Sequence, residues 1–346
     1  ISECLVGSEM CIRDRGYTGK PDSYYNAIIN WVKQRYDLVV AKEMINFVPG
    51  IVPGIGMAMN CFTQKGDKVM IQPPVYHPFA WVTTRNERTL VINPLKWENG
   101  MYRMDLDAFR EQIKGCKLFI LCNPHNPGGV VWTEAELRAI ADICYDEKVL
   151  VFSDEIHADL TLPPHTHRPF ATVSEKARMN SVTFMSPSKA FNMPGLSASH
   201  ALIFNEDLRK RFRIYMDAGE LDMGHVFAFL SVEAAYSHGT EWLDQCLAYI
   251  QGNIDFVDEF LKKHAPKIKA IRPEASYLVW LDCRELELSQ KDLNEFFVDK
   301  AHLALNDGEM FGKEGIGFMR LNVASPRCII EKAMKQLADA YQLYIK

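Results

Sequence analysis

The stretch Ser-Pro-Ser-Lys-Ala-Phe-Asn, residues 186–192, directly follows the mostly apolar run Ser-Val-Thr-Phe-Met at 181–185. A short run rich in apolar and β-branched residues predicts a strand buried on both faces of a parallel sheet. Lys189 therefore lies just past the end of a buried strand, with Ser186 and Ser188 beside it. A lysine in this place suits an amine that forms a Schiff base next to a bound phosphate. Most lysines are solvated surface charges, however, so this stretch alone does not decide the function.

Three further apolar runs are each followed at once by polar or turn-forming residues. They occupy residues 68–72, 117–122 and 149–153. In open α/β sheets, ligands bind in a crevice outside the carboxyl ends of the strands. We therefore expect the polar side chains after these runs to converge with Lys189 on one crevice. These side chains are Tyr76, Asn126, Asp154 and His157.

Helical patterns alternate with these strands. Residues 22–37 predict a helix, and a capping box at 133–136 opens another helix that reaches about Lys148. This βαβ alternation repeats between residues 50 and 205. It predicts an α/β fold, a three-layer sandwich with a mostly parallel central sheet and helices on both of its faces.

The last third of the chain predicts a smaller α+β domain. The expected elements are a helix at 238–263, a strand at 277–281, a helix at 290–300, a strand at 318–323 and a helix at 326–344. We place the domain boundary inside the long helix, so that residues 16–245 form the large domain and residues 246–346 the small one. Residues 1–15 lack the regions of a signal peptide and any regular period, and we interpret them as a foreign or disordered extension.

The composition of the 346 residues is that of an ordinary globular protein, with 48% hydrophobic and 24% charged residues. A formal net charge of −5 does not indicate a basic surface of the kind that binds nucleic acids or membranes, so we expect no nucleic-acid or membrane partner. The apolar stretch at 47–62 is interrupted by prolines and glycines and does not read as a membrane span. Nine cysteines without a CxxC pair favour reduced thiols, hence a cytoplasmic protein.

Two features permit both a structural and a functional interpretation. The loop at 46–56 is either a simple turn or a source of free backbone N–H groups for an anion at a helix N-terminus. Asp154 ends a buried strand, where a carboxylate needs a partner because burying an unpaired charge is costly. It either caps the next segment or pairs with a pyridinium nitrogen.

Four motifs together resemble the aspartate-aminotransferase-like, fold-type I pyridoxal-phosphate enzymes. They are Asn-Pro-His-Asn-Pro-Gly-Gly at 123–129, Ser-Asp-Glu-Ile-His-Ala-Asp at 153–159, the stretch at 186–192 and Met-Arg-Leu-Asn at 319–322. More narrowly, they resemble the MalY/PatB group of cystathionine β-lyases, or cysteine-S-conjugate β-lyases. The resemblance runs from about residue 16 to the C-terminus. It implies a large pyridoxal-phosphate domain with a smaller C-terminal domain, a pyridoxal 5′-phosphate cofactor, and a homodimer with sites at the subunit interface.

The resemblance also implies a role for each candidate residue. Lys189 matches the lysine that binds the cofactor covalently, and Asp154 matches the partner of the pyridine nitrogen. Arg320 matches the arginine that grips the substrate α-carboxylate, a task that suits its planar fork. By the same resemblance, Asn126 and His157 contact the phenolic oxygen of the cofactor, and Tyr76 stacks on its ring. Ser186 and the backbone amides of Ile51 and Val52 bind its phosphate. Tyr17 reaches the phosphate of the neighbouring subunit.

The expected reaction is β-elimination of a thiol from an amino-acid thioether, which leaves pyruvate and ammonia. An aminotransferase is the alternative, and it would use the same Lys189, Asp154 and Arg320. The histidine at position 157, where typical aminotransferases of this fold have tyrosine, favours the lyase. No second arginine is identifiable that would grip a side-chain carboxylate. Family members also carry an N-terminal segment that residues 1–15 do not match, and we expect poor activity without it.

Three other classes of protein are less consistent with the sequence. The Ser-x-x-Lys motif at 186–189 also occurs in penicillin-binding hydrolases, but the Ser-Asp-Asn and Lys-Thr-Gly motifs of that family are absent. Acidic residues and histidine at 154–159 could bind a metal, yet no HExxH motif accompanies them, so we expect no metal site. A cofactor-binding regulatory scaffold remains the non-enzymatic alternative.

Overall fold

The computed structural model describes residues 19–344, so the expectations for residues 1–15 and for Tyr17 lie outside the described residues. The strands are β1 (Ile45–Val48), β2 (Lys68–Ile71), β3 (Thr89–Ile92), β4 (Lys96–Glu98), β5 (Met101–Arg103), β6 (Cys116–Cys122), β7 (Leu150–Asp154), β8 (Ser181–Met185), β9 (Ser199–Leu202), β10 (Lys269–Ile271), β11 (Leu278–Asp282), β12 (Asn306–Asp307) and β13 (Phe318–Asn322). The α-helices are α1 (Asp22–Tyr36), α2 (Ile51–Phe62), α3 (Pro78–Arg85), α4 (Leu106–Gln112), α5 (Glu134–Asp146), α6 (Glu175–Met179), α7 (Glu206–Ala218), α8 (Val226–His238), α9 (Thr240–His264), α10 (Gln290–Glu295) and α11 (Arg327–Tyr344).

A seven-stranded sheet in the order β1-β9-β8-β7-β6-β2-β3 forms the centre of the large unit. Strands β8, β7, β6, β2 and β3 pair in parallel, whereas β9 runs antiparallel to both of its neighbours. The mostly parallel sheet is therefore confirmed. All five residues of β8 are buried, as expected for a strand that is covered on both faces.

Helices cover both faces of this sheet, which gives the predicted three layers. On one face, Phe119 and Val151 pack in a cluster with side chains from α4, α5 and α6. On the other face, Ile120 and Phe152 pack in a cluster with side chains from α2, α3 and α7. Neighbours along β6 and β7 thus belong to different clusters, because successive side chains of a strand point to opposite faces.

Local signals set the helix ends. The capping box predicted at 133–136 is present: Thr133 Oγ1 accepts from the Glu136 N–H at 3.2 Å, and the Glu136 carboxylate accepts from the Thr133 N–H at 2.8 Å. Helix α5 ends at Asp146, slightly before the predicted end, and Lys148 adopts a left-handed conformation with φ of 57°. The helix predicted at 290–300 is α-helical only to Glu295 and continues as a π-helical turn at Phe296–Lys300.

The C-terminal part contains a four-stranded antiparallel sheet in the order β10-β11-β13-β12. Arg320 lies on β13, where its backbone is paired with Trp280 on one side and Asn306 on the other. The long helix α9 spans the predicted boundary at 245/246, which stays a prediction. No helix within residues 19–344 has the length and apolar character that a membrane crossing requires.

Candidate active site

A cavity of about 480 Å³ lies at the carboxyl ends of the parallel strands, and we call it the reaction cavity. Eight of the predicted site residues line it. They are Ile51, Val52, Tyr76, Asn126, Asp154, His157, Lys189 and Arg320. The expected convergence on one crevice is therefore present in the structure, although Ser186 is not among the lining residues.

Lys189 reaches the cavity from a turn that follows β8. The turn is closed by hydrogen bonds from the Phe191 N–H to the Pro187 carbonyl and from the Met193 N–H to the Ser188 carbonyl, both 2.9 Å long. Lys189 Nζ forms no hydrogen bond or ion pair with any residue between positions 19 and 344. The turn thus presents an uncommitted amine to the reaction cavity.

Asp154 is the last residue of β7, and its carboxyl is buried without a cationic partner among the described residues. Its Oδ1 accepts one hydrogen bond, from the Ile156 N–H at 3.1 Å. Burial raises the pKa of the Asp154 carboxyl to about 7, and this backbone hydrogen bond and the charge of Lys189 oppose the shift only in part. A protonated ring nitrogen would supply the missing positive charge, so the site fits a pyridinium group.

Arg320 is a cation without a partner anion, because no carboxylate in the described part of the chain pairs with its guanidinium. Nη1 donates to Asn126 Oδ1 and Nη2 donates to Asn306 Oδ1, each at 2.8 Å. Nε is buried and has no partner, and the guanidinium carbon lies 4.6 Å from the centre of the Phe311 ring. Burial lowers the pKa of Arg320 to about 10, so the side chain keeps its charge at neutral pH. An incoming carboxylate would neutralise it.

His157 contributes a neutral imidazole to the same wall. Burial, assisted by the charges of Lys189 and Arg320, lowers the pKa of His157 to about 3. Its Nδ1 is buried and has no hydrogen-bond partner within the described chain. The ring can therefore exchange a neutral hydrogen bond with a polar atom in the cavity, which fits a contact to a phenolic oxygen.

The first turn of α2 forms the anion-binding end of the cavity. Gly50 precedes the helix with φ of 137°, a conformation that favours glycine. The backbone N–H groups of Ile51 and Val52 follow in the first turn, where helical N–H groups lack intrahelical partners. The positive end of the helix dipole adds to the attraction for a phosphate. The geometry of the loop, like its sequence, thus suits an anion.

The two serines before Lys189 have different positions. Ser186 Oγ donates to the Ala198 carbonyl at 2.8 Å and accepts from the Ser188 N–H at 3.1 Å. Ser188 lies on the cavity wall, and its Oγ is 2.8 Å from Ser186 Oγ. Ser186 therefore supports the turn, and Ser188 presents the hydroxyl nearer to the cavity.

Next to Asp154, the buried side chains of Glu155 and His167 form a pair that fixes the segment after β7. The Glu155 carboxylate lies 2.8 Å from His167 Nε2, and it accepts hydrogen bonds from Ser153 Oγ and the Phe170 N–H, also at 2.8 Å. Asp159 accepts from Trp31 Nε1 at 2.9 Å. These acids are thus engaged in structural contacts, and no cluster suited to a metal ion occurs in the described ranges.

Sequence reasoning missed several residues of the cavity wall, including His77, Tyr277 and Asn306. His77 had a signal, because it directly follows Tyr76 after a predicted strand. Asn306 had none, since it lies on the two-residue strand β12 and reaches the site only through its pairing beside Arg320.

Known proteins resemble this chain along most of its length. The sequence model of the family described as aminotransferase class I and II matches residues 15–337. Cystathionine beta-lyase PatB from Bacillus subtilis is 38% identical over 327 residues, which cover 94% of this chain and 84% of PatB.

Two solved structures agree with the fold. Cystalysin from Treponema denticola, which contains a pyridoxal 5′-phosphate cofactor, is 34% identical with a TM-score of 0.94, covering 97% of this chain and 86% of cystalysin. The PLP-bound C-S lyase from Staphylococcus hominis is 32% identical with a TM-score of 0.89, covering 96% and 87% of the two chains. The resemblance inferred from the four motifs is thereby confirmed, as is the fold class, and the chain belongs to the aminotransferase class I and II family.

Proposed function

We propose that this chain is a pyridoxal-phosphate-dependent carbon–sulfur β-lyase that cleaves L-cystathionine or related cysteine S-conjugates to a thiol, pyruvate and ammonia. The observation that carries the proposal is the meeting of Lys189, Asp154 and Arg320 on one cavity. These residues offer a free amine, a buried carboxyl without a cation and an arginine without a carboxylate. The lyase names of PatB and of the Staphylococcus hominis protein support this reaction over transamination.

The residues on the cavity wall have the donors and acceptors that pyridoxal phosphate requires. The backbone amides of α2 and the Ser188 hydroxyl would hold the phosphate, with Ser186 supporting Ser188. Asp154 would hold the ring nitrogen, and Tyr76 would cover the ring. Asn126 and His157 would contact the phenolic oxygen. When bound, the cofactor supplies an electron sink for the electrons that the Cα proton leaves behind.

Each of three residues of the chain would then perform one part of the reaction. Arg320 holds the substrate α-carboxylate and so fixes Cα near Lys189, whose amine takes the Cα proton. Asp154 stabilises positive charge on the ring nitrogen. The Cβ–S bond breaks with its electron pair on sulfur, which leaves as a thiol after gaining a proton. Addition of one water to the three-carbon remainder gives pyruvate and ammonia.

The test compares the two reactions that share this site. The purified protein, loaded with pyridoxal phosphate, is incubated with L-cystathionine and, separately, with L-amino acids and 2-oxoglutarate. We expect pyruvate, ammonia and free thiol in equal amounts from cystathionine. Glutamate formation without thiol release would identify an aminotransferase instead. Binding of the cofactor without either reaction would favour the regulatory scaffold.

Replacing Arg320 by alanine should chiefly weaken substrate binding. A charge-assisted hydrogen bond contributes about 1.5–3 kcal/mol. We therefore expect the KM for L-cystathionine to rise by roughly tenfold to a hundredfold, with a smaller change in kcat. The matched control is Arg284→Ala, which removes an arginine that pairs with Asp282 outside the cavity. An unchanged KM in Arg320→Ala would exclude Arg320 from the carboxylate-binding role.

We also propose a homodimer, as the resemblance implies, and a cytoplasmic location, as the cysteines without a CxxC pair indicate. Val226, Phe227 and Leu230 lie on α8 and Met223 lies in the loop just before it, and all four are exposed, with Phe227 64% accessible. A group of exposed apolar side chains of this kind is typical of an interaction surface. Light scattering should give about twice the mass of one 39.5 kDa chain; a mass equal to one chain would contradict the dimer.

A further inference from the structure

The ring of Phe311 lies against the guanidinium of Arg320, which lines the reaction cavity. The guanidinium carbon is over the ring, 4.6 Å from its centre. At the edges of the guanidinium, Nη1 donates to Asn126 and Nη2 donates to Asn306. The two amides thus hold two edges of the planar group, and the ring covers one of its faces. Contacts at the edges and at a face together fix the orientation of a planar group more completely than contacts at the edges alone.

Phe311 is itself fixed from several sides. The centre of its ring lies 5.4 Å from that of Trp280 and 5.8 Å from that of His77, and both pairs of rings meet edge to face. The Phe311 carbonyl accepts a hydrogen bond of 2.9 Å from the Val75 N–H. The residue is only 2% exposed. The ring is therefore a fixed support for the side chain that packs on it.

The segment that carries Phe311 also packs closely against the chain that precedes Tyr76. Gly312 has φ of 126°, a conformation that favours glycine, and a Cβ atom there would lie 2.7 Å from Pro73 Cβ. Val75, which donates to the Phe311 carbonyl, directly precedes Tyr76. The guanidinium on the Phe311 ring is therefore held in place relative to the residue proposed to cover the cofactor ring.

An aromatic face can hold a cation without neutralising it. The face attracts a guanidinium through the quadrupole of the ring, yet the ring carries no net charge. A carboxylate in the place of Phe311 would instead pair with Arg320 and compete with an incoming carboxylate. Phe311 therefore stabilises the orientation of Arg320 and leaves its positive charge for a ligand.

We propose that Phe311 is a positioning residue that acts through Arg320 and raises the affinity of the site for the α-carboxylate of an amino-acid substrate. The proposal rests on the function proposed above, in which Arg320 binds that carboxylate. Without the ring, the guanidinium would adopt further orientations. The apparent affinity for a ligand falls in proportion to the fraction of the protein in the competent orientation.

The matched control is a second phenylalanine that packs on an arginine outside the cavity. Phe318 lies on β13, is also 2% exposed, and has the guanidinium carbon of Arg284 at 4.7 Å from its ring centre. Arg284 pairs with Asp282 and does not line the reaction cavity. Phe311→Leu and Phe318→Leu each remove one aromatic face from the same hydrophobic cluster. Melting temperatures compare their stabilities, and Phe311→Met serves in place of Phe311→Leu if the leucine variant does not fold.

The experiment measures Kd by calorimetry on the protein loaded with pyridoxal phosphate. One ligand is S-ethyl-α-methyl-L-cysteine, which lacks the Cα proton and so is not cleaved by the proposed route. The other is its carboxamide, which lacks the negative charge. The Kd of the amide divided by the Kd of the acid reports recognition of the carboxylate. Phe311→Leu should lower this ratio by about threefold to tenfold, the scale of a lost cation–π contact, through weaker binding of the acid alone. Phe318→Leu should leave the ratio unchanged.

A double-mutant cycle tests whether the effect of Phe311 passes through Arg320. Arg320→Ala should lower the Kd ratio by itself. Phe311→Leu should then have no further effect in the Arg320→Ala background. Additive effects of the two substitutions would overturn the positioning role, because Phe311 would then act independently of the arginine. An equal loss of the ratio in Phe318→Leu would also overturn it, since general packing would explain the effect.

The binding measurements are independent of turnover. If no thioether yields pyruvate, the proposed lyase function fails, and the Kd ratios still decide the role of Phe311. If Arg320→Ala leaves the ratio unchanged, Arg320 does not bind the carboxylate, and the positioning role is overturned with it. A ratio that falls in Arg320→Ala but not in Phe311→Leu overturns the positioning role alone.

Discussion

Lys189→Ala should abolish thiol release almost completely. Lys189 presents an uncommitted amine to the reaction cavity, and it is assigned both the covalent hold on the cofactor and the transfer of the Cα proton. Loss of a positioned acid–base alone costs roughly 10²–10⁴-fold in rate. We expect a larger loss here, since the covalent step is lost too. The measurement is kcat for pyruvate formation with the cofactor in excess.

The control for this variant is Lys176→Ala, which removes a half-buried lysine outside the reaction cavity that pairs with Asp142 and Asp146. It should retain full activity. Borohydride reduction of the unaltered protein with its cofactor, followed by peptide mapping, should place the pyridoxyl group on Lys189. A pyridoxyl group found on any other lysine would refute the assignment.

Asp154→Asn should keep the fold and much of the cofactor yet slow carbanion chemistry by about a hundredfold or more, at the lower end of the effect of an acid–base group. A neutral amide cannot hold the ring nitrogen protonated. Turnover equal to that of the unaltered protein would show that Asp154 is only a structural cap.

The same variant has a distinct effect on stability without the cofactor. The Asp154 carboxyl has a pKa of about 7 in the folded chain, above the ordinary value near 4 in an unfolded chain. Between these values the folded state binds more protons, so the free energy of unfolding falls as the pH rises from about 4 to 7. Cofactor-free Asp154→Asn should lack this contribution. The melting temperature of the variant should exceed that of the unaltered protein by a larger margin at pH 8 than at pH 4. An equal margin at the two pH values would contradict a buried, unpaired carboxyl at Asp154.

The large sheet and its carboxyl-end residues could be predicted because their signals are local. The apolar run at 181–185 is β8, residue for residue, and the polar residues after β2, β6, β7 and β8 do share one cavity. The direction of these strands follows from the βαβ alternation, which places their carboxyl ends at one edge. Asp154 and Lys189 could therefore be placed together without any knowledge of distances.

Other parts of the site depend on contacts that a single sequence does not carry. Strands β1 and β9 have only four residues each and include Asn46 and His200, so no clear apolar run marks them. The choice between Ser186 and Ser188 depends on which hydroxyl the Ala198 carbonyl engages, a contact across twelve residues. The cavity that adjoins the reaction cavity at His77 is lined by Ile92 and by the separate segments at 71–81 and 309–314. Their proximity is a property of the folded chain.

The hydrogen bonds from Arg320 to the amide oxygens of Asn126 and Asn306 have a consequence for the entropy of the proposed substrate binding. A long, flexible side chain loses about 0.5–1.5 kcal/mol of rotamer freedom when a ligand immobilises it. Here the two amides already hold the guanidinium in one orientation, with its Nε unused. Much of this ordering is completed during folding. The arginine is thus preorganised, and the free energy of contact with a carboxylate is available for affinity.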